Sequence, residues 1–136
     1  MLGAAKAHGL YDDAIVLLWA DHGHQLGDNG QWGKHTDFEH ATRIPFMVRL
    51  PPAAFPQFRP GRSAAFVENA DLMPTLAELA IGDTIPRCPA DADASRATML
   101  CTDGLSFAPV LAEPAVKWKA GSFSQCVARL NAPTRP

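Results

Sequence analysis

Apolar positions fall into a few discrete blocks along the chain. Ala14-Ile15-Val16-Leu17-Leu18-Trp19-Ala20 is the longest uninterrupted one. A continuous, partly β-branched run of that length suits a strand buried on both faces of a parallel sheet, so it predicts a central strand with Asp21 at its carboxyl end. Upstream, the Ala-rich stretch from Leu2 to Leu10, with Gly9 near its end, predicts a helix finished by a glycine. Downstream, Ile44 to Leu50 reads as a second strand that tolerates Pro45 near its start and stops at Pro51-Pro52. Ala64 to Val67 reads as a short strand. The spacing of Leu72, Met73, Leu76, Leu79 and Ala80 then predicts an amphipathic helix over 71–81, with Asp71 as its N-cap, Pro74 at the third helical position and Gly82 after its end. Leu105 to Leu111 reads as a short helix and Trp118 to Gln125 as a final strand. Asn131 to Pro136 trails off. Together these elements predict an α/β fold, a mostly parallel sheet flanked by helices.

Between the blocks lie three polar stretches. Residues 22–42 keep no sustained period and carry Gly23, Gly27, Gly30 and Gly33, which reads as one long loop. Loops beyond about 12–15 residues in a compact domain are usually functional or disordered, and Trp32 and Phe38 supply apolar anchors that argue against disorder. Residues 53–62 read as a surface connection rich in Pro and Gly. Residues 83–102 read as an excursion from the core that holds Cys88 and Cys101.

Composition narrows the class. The 136 residues fit one domain, and 47% hydrophobic against 19% charged residues is an ordinary globular balance. A formal net charge of -2 with scattered Lys and Arg excludes a phosphate-backbone binder, so nucleic acid is not an expected partner. No apolar stretch approaches the roughly 20 residues of a membrane span, and no basic segment followed by an apolar core marks a signal peptide at the N-terminus. Cys88 and Cys101 bracket a polar loop while Cys126 lies well away, so a Cys88–Cys101 disulfide is compatible with an oxidising compartment.

The chemistry gathers in the loop that follows the first strand. Asp21 and His22 place an oxygen and a nitrogen donor side by side at a strand end, where open α/β sheets bind ligands, and Gly23 permits a sharp turn behind them. Two readings stand. In one the pair ligates a divalent cation whose remaining ligands come from elsewhere, since two donors cannot complete a Ca2+ or Mg2+ site. In the other Asp21 caps a turn and His22 is an ordinary polar side chain. Lys34, thirteen residues after Asp21, reads alone as a solvated surface lysine; if the loop folds back, its ammonium would meet a sulfate or phosphate oxygen at that cation. His35 beside it could contact a leaving group, His24 and His40 read as surface residues, and Asp28, Asp37 and Glu39 read as ion-pair partners for Arg43.

Ala20-Asp21-His22-Gly23 followed by Leu26-Gly27, Gly30, Trp32, Lys34, Phe38-Glu39 and Arg43-Ile44-Pro45 closely resembles the sulfatase family of the alkaline-phosphatase-like superfamily. Asp71-Leu72-Met73-Pro74-Thr75-Leu76 and Asp103-Gly104-Leu105-Ser106-Phe107 resemble the helix and turn that follow the metal loop there. Pro86-Arg87-Cys88-Pro89, Cys101 and Ser124-Gln125 look most like the iduronate-2-sulfatase branch. The resemblance implies part of an alkaline-phosphatase-like sandwich, with a metal and sulfate loop over 21–45, the helix over 71–81 and a cysteine-bracketed loop over 83–102. It implies Asp21 and His22 as Ca2+ ligands, Lys34 as a catalytic residue holding the sulfate ester, His35 as a further substrate contact, and a Cys88–Cys101 pair. The implied substrate is a sulfated small molecule or a glycosaminoglycan-like saccharide, and the implied compartments are secreted, periplasmic or lysosomal.

One departure is plain in the residues. Sulfatases take their formylglycine nucleophile from the cysteine of a Cys-x-Pro-x-Arg segment, and none of Cys88, Cys101 and Cys126 begins one. Asp12-Asp13 precede their strand, so they do not match the acidic metal ligands of the family's first strand. The expectation is therefore the C-terminal part of a sulfatase catalytic domain, inactive by itself and partnered by a missing N-terminal segment. A phosphoester hydrolase of the same superfamily and a non-catalytic remnant are the alternatives.

Overall fold

The computed structural model describes residues 1–125. In chain order the elements are α1 (Leu2–Ala7), β1 (Val16–Leu18), β2 (Gln25–Leu26), β3 (Trp32–Gly33), α2 (Glu39–Thr42), β4 (Met47–Arg49), α3 (Leu72–Ile81), α4 (Ala92–Ala97) and α5 (Ala108–Ala112), with single 3-10 turns at Asp28–Gly30 and Asn69–Asp71. The fold is α/β, but the mostly parallel sheet is not there. Among the described residues the strands form two two-stranded sheets, β1 with β4 and β2 with β3. The β2–β3 pair is antiparallel, and outside the strands Arg87 and Thr102 form a parallel bridge. The reason lies in pairing partners. With one neighbour, β1 shrinks to three residues, and Leu18 and Trp19 remain 56% and 47% exposed where a central strand would bury them. The expected strands at Ala64–Val67 and Trp118–Gln125 are likewise not formed, and both segments are irregular. The tail expected at Asn131–Pro136, like Cys126, lies outside the described residues.

The chain divides into two compact units. The first comprises residues 1–16 and 48–122. Its centre is α3, bounded by Gly82 in the left-handed conformation as the sequence implied. The buried side of α3 is not the expected Leu and Met stripe, however. Pro74 and Thr75 are buried, while Met73 is 62% exposed. What covers the helix is the segment 104–110, with Phe107, Ala108 and Val110 buried against it. Polar contacts set that packing: Thr75 Oγ1 donates to Asp71 O (2.6 Å) and accepts from Phe107 N (2.9 Å).

Asp71 begins α3 by position but does not cap it. Its side chain, fully buried, turns back to accept from Glu68 N (2.9 Å) and across to accept from Leu105 N (2.7 Å), and Lys119 Nζ donates to both of its oxygens at 2.7 Å. Lys119 also meets Glu68 Oε2 at 2.5 Å. Burial pulls the Lys119 ammonium towards its neutral form, and the bonds to Asp71 and Glu68 more than reverse this, holding its pKa above the ordinary 10.5. A raised lysine pKa stabilises the folded state in full below the unfolded value and less as pH rises through the folded one. Thermal unfolding of the chain is therefore expected to hold level up to about pH 10 and to fall beyond it, and a Lys119→Met variant is expected to lose that alkaline limb.

The 83–102 excursion is closed at its neck. Cys88 and Cys101 are joined by a disulfide (Sγ–Sγ 1.99 Å, Cα–Cα 4.8 Å). Beside it Cys88 N donates to Thr102 O (3.0 Å) and Thr102 N to Pro86 O (2.9 Å). Within the excursion α4 is capped by Asp91, whose Oδ1 accepts from Asp93 N and Ala94 N. Cross-linking a loop of this size restricts the unfolded chain and contributes about 3 kcal/mol. Reduction is expected to remove about that much from the urea-unfolding free energy; a change under 1 kcal/mol would mean the neck is held by its backbone bonds alone.

Candidate functional site

The second unit, described over residues 17–47 and 123–125, carries the loop on which the sequence concentrates its chemistry. That loop is not structureless. Residues 25–33 form a hairpin in the register Gln25–Gly33 and Leu26–Trp32, and its turn closes through Gly27 N to Gln31 O (2.9 Å). Asp28 secures the turn by accepting from Leu26 N through Oδ2 (3.2 Å). That bond, chiefly, holds the Asp28 carboxyl below its ordinary 3.8, desolvation opposing it and the nearby His40 assisting. A lowered carboxyl pKa stabilises above the unfolded value and ceases to do so as pH falls through the folded one. The Leu26 amide is thus expected to gain hydrogen exchange only below pH 3.8, and in Asp28→Asn that acid step should vanish.

Behind the hairpin the chain enters α2, whose Ala41 is buried. Gly23 N donates to Ala41 O (2.8 Å), so the strand end carrying Asp21 and His22 lies directly against the α2 backbone. This brings the predicted residues together. His22 Nδ1 is 2.9 Å from Gly23 O, His22 Nε2 is 2.5 Å from Lys34 Nζ, and Asp21 Oδ2 is 3.1 Å from His22 Nε2. A carbonyl facing Nδ1 and an ammonium facing Nε2 assign the imidazole proton to Nδ1. Nε2 then accepts from the Lys34 ammonium beside a carboxylate oxygen, so its lone pair is engaged by Lys34 and would be open to a cation once that ammonium turns away.

That arrangement fits half of a divalent-cation site. An imidazole lone pair and a carboxylate oxygen converge, and the His22 tautomer is fixed by its bond to a backbone carbonyl, as metal-binding histidines require. Among the described residues no group of three or more His, Cys, Asp and Glu is gathered tightly enough to hold a metal ion, so any further ligands lie outside this cluster. His35 and His24 are exposed. Of the acids assigned to Arg43, Glu39 pairs with it (3.4 Å), whereas Asp28 lies 3.8 Å from His40. Asp12 faces Arg49 at 3.9 Å.

Two residues escaped the sequence reading. Gln25 is fully buried and donates through Nε2 to Thr36 Oγ1 (3.1 Å). Its only signal was its place opposite Gly33, which requires the hairpin to be seen first. Lys119 had no local signal, because its partners lie 48 and 51 residues away.

A carboxylate–imidazole pair and a lysine meet on one glycine-rich loop at a strand end in an α/β fold. Residues 2–82, more than half of the chain, match the Sulfatase family, and the chain belongs to that family, within the alkaline-phosphatase-like superfamily. It is 39% identical over 71 residues to a choline-sulfatase of Rhizobium meliloti, covering 52% of this chain and 13% of that protein. It is 36% identical over 110 residues to the iduronate 2-sulfatase of Mus musculus, covering 65% of this chain and 20% of that protein. The solved structure of the phosphonate monoester hydrolase SpPMH from Silicibacter pomeroyi superposes with a TM-score of 0.66 and 32% identity, over 87% of this chain and 20% of that one. The chain thus spans about a fifth or less of the length of these relatives.

Proposed function

We propose that the chain contributes the cation- and sulfate-binding loop of a sulfuric ester hydrolase, part of a sulfatase catalytic domain, with a substrate of the iduronate-2-sulfatase kind. The observation that supports this most is the convergence of Asp21, His22 and Lys34 within one loop, with Lys34 Nζ at 2.5 Å from His22 Nε2. Asp21 and His22 would hold Ca2+, which when bound would act as a Lewis acid on the ester oxygens. Lys34 would supply a compact charge for an equatorial sulfate oxygen, its ammonium leaving the His22 lone pair as Ca2+ takes that position. His35, exposed and next to Lys34 in the chain, is the residue we assign to the leaving-group side.

The attacking group is not among these residues. No cysteine begins Cys-x-Pro-x-Arg, so the formylglycine that sulfatases use would come from a partner segment. The chain alone is therefore expected to leave an aryl sulfate uncleaved in the presence of Ca2+. Turnover by the purified chain at enzyme-like rates of about 1 per second or more would overturn the reading.

A second reading is favoured by one observation, the 32% identical phosphonate monoester hydrolase structure. A tetrahedral anion, a cation and a lysine serve a phosphorus ester as well as a sulfate ester. Competition between inorganic sulfate and phosphate for Lys34 separates the two readings: tighter sulfate binding supports the first, tighter phosphate binding the second.

A further inference from the structure

We propose that Gln25 is a positioning residue for Lys34, acting through the hydroxyl of Thr36; this rests on the sulfate-binding role given to Lys34 above. Lysine is a flexible four-carbon stem with a point charge at its tip, so where its ammonium goes depends on how firmly its backbone is held. Lys34 is held on both sides. Before it, Gly33 is paired with Gln25 in the hairpin ladder. After it, Thr36 N donates to Lys34 O (2.9 Å), and Thr36 Oγ1 accepts from Gln25 Nε2 (3.1 Å) and, more weakly, from Phe38 N (3.4 Å). One residue thus reaches both flanks of Lys34: the Gln25 backbone pairs with the residue before it, and the Gln25 side chain bonds the residue that binds its carbonyl.

The cost of placing an amide there supports a specific role. Gln25 has no exposed surface, and its Oε1 has no hydrogen-bond partner. An apolar side chain of similar volume would fill the position without that desolvation penalty. What it would not do is reach Thr36.

The test uses the 136-residue chain and four variants: Gln25→Met, which keeps volume but removes the bond, Thr36→Val, Thr36→Ser and Lys34→Met. Three quantities are measured on each: the 15N shift of His22 Nε2, the dissociation constant for inorganic sulfate, and the unfolding midpoint. Gln25→Met and Thr36→Val are expected to move the His22 Nε2 shift towards its value in Lys34→Met. Each should also weaken sulfate binding about fivefold, the worth of one hydrogen bond, and the double variant should weaken it no further. Thr36→Ser, which restores the hydroxyl, is expected to keep the original shift and affinity. If Gln25→Met and Thr36→Val change only the unfolding midpoint, Gln25 is a packing residue and the proposal is overturned. If Lys34→Met itself leaves sulfate affinity unchanged, the sulfate reading falls first and the proposal with it. Should Gln25→Met fail to fold, the Thr36→Val and Thr36→Ser pair carries the same comparison.

Discussion

Replacing Asp71 with alanine is expected to destabilise the first unit by about 3–5 kcal/mol, the range for removing one partner of a buried ion pair. The substitution removes four hydrogen bonds at once: one from each of the Glu68 and Leu105 amides and two from Lys119. Lys119, whose side chain is only 15% exposed, would keep Glu68 as its remaining carboxylate. The Leu105 amide would lose its acceptor in the segment that covers α3. That segment has little room to adjust, because a Cβ on Gly104 would fall 2.0 Å from Ala70 O. Equilibrium urea unfolding followed by circular dichroism measures the loss. A drop below 1 kcal/mol would show that the Asp71–Lys119 contact is incidental to the packing of α3.

Gly23→Ala is expected to have the second largest effect, and it falls on the site. A Cβ there would lie 2.0 Å from His40 O and 3.0 Å from its carbonyl carbon. Both belong to backbone, which cannot swing aside as a side chain can. The strand end must move away from α2, breaking the Gly23 N to Ala41 O bond and displacing the carbonyl that His22 Nδ1 faces. The stability cost is expected near the upper end of the about 1–3 kcal/mol typical of overpacking. The more specific consequence is loss of the His22–Lys34 contact, read as a change in the His22 ring 15N shifts matching that of Lys34→Met. Retention of the native shifts in Gly23→Ala would mean that α2 does not position His22.

How much of this could be read from the residues depended on how local each feature is. The Asp21, His22 and Lys34 cluster was legible because its parts lie within fourteen residues and the glycines between them announce a folded-back loop. The helix over 71–81 was legible for the same reason, its periodicity and terminal Gly82 being local signals. What escaped was whatever a distant segment decides. The run Ala14–Ala20 has the pattern of a central strand, yet its extent and burial depend on how many strands flank it, and among the described residues only β4 does so. Asp71 has the pattern of an N-cap, but Lys119 and Leu105, 48 and 34 residues away, draw its carboxylate elsewhere. Trp118 to Gln125 has the alternation of a strand but forms none, and alternation alone does not make a ladder.

The claim that the Asp21–Lys34 loop is a sulfate-binding half-site is tested most directly by titrating the chain with inorganic sulfate, with and without Ca2+, while following the Lys34 Nζ and His22 ring nitrogens by 15N NMR. The expected result is that these nitrogens shift together and saturate, that Ca2+ tightens the binding, and that Lys34→Met abolishes it. Saturable sulfate binding that leaves Lys34 and His22 unmoved, or that survives in Lys34→Met, would contradict it.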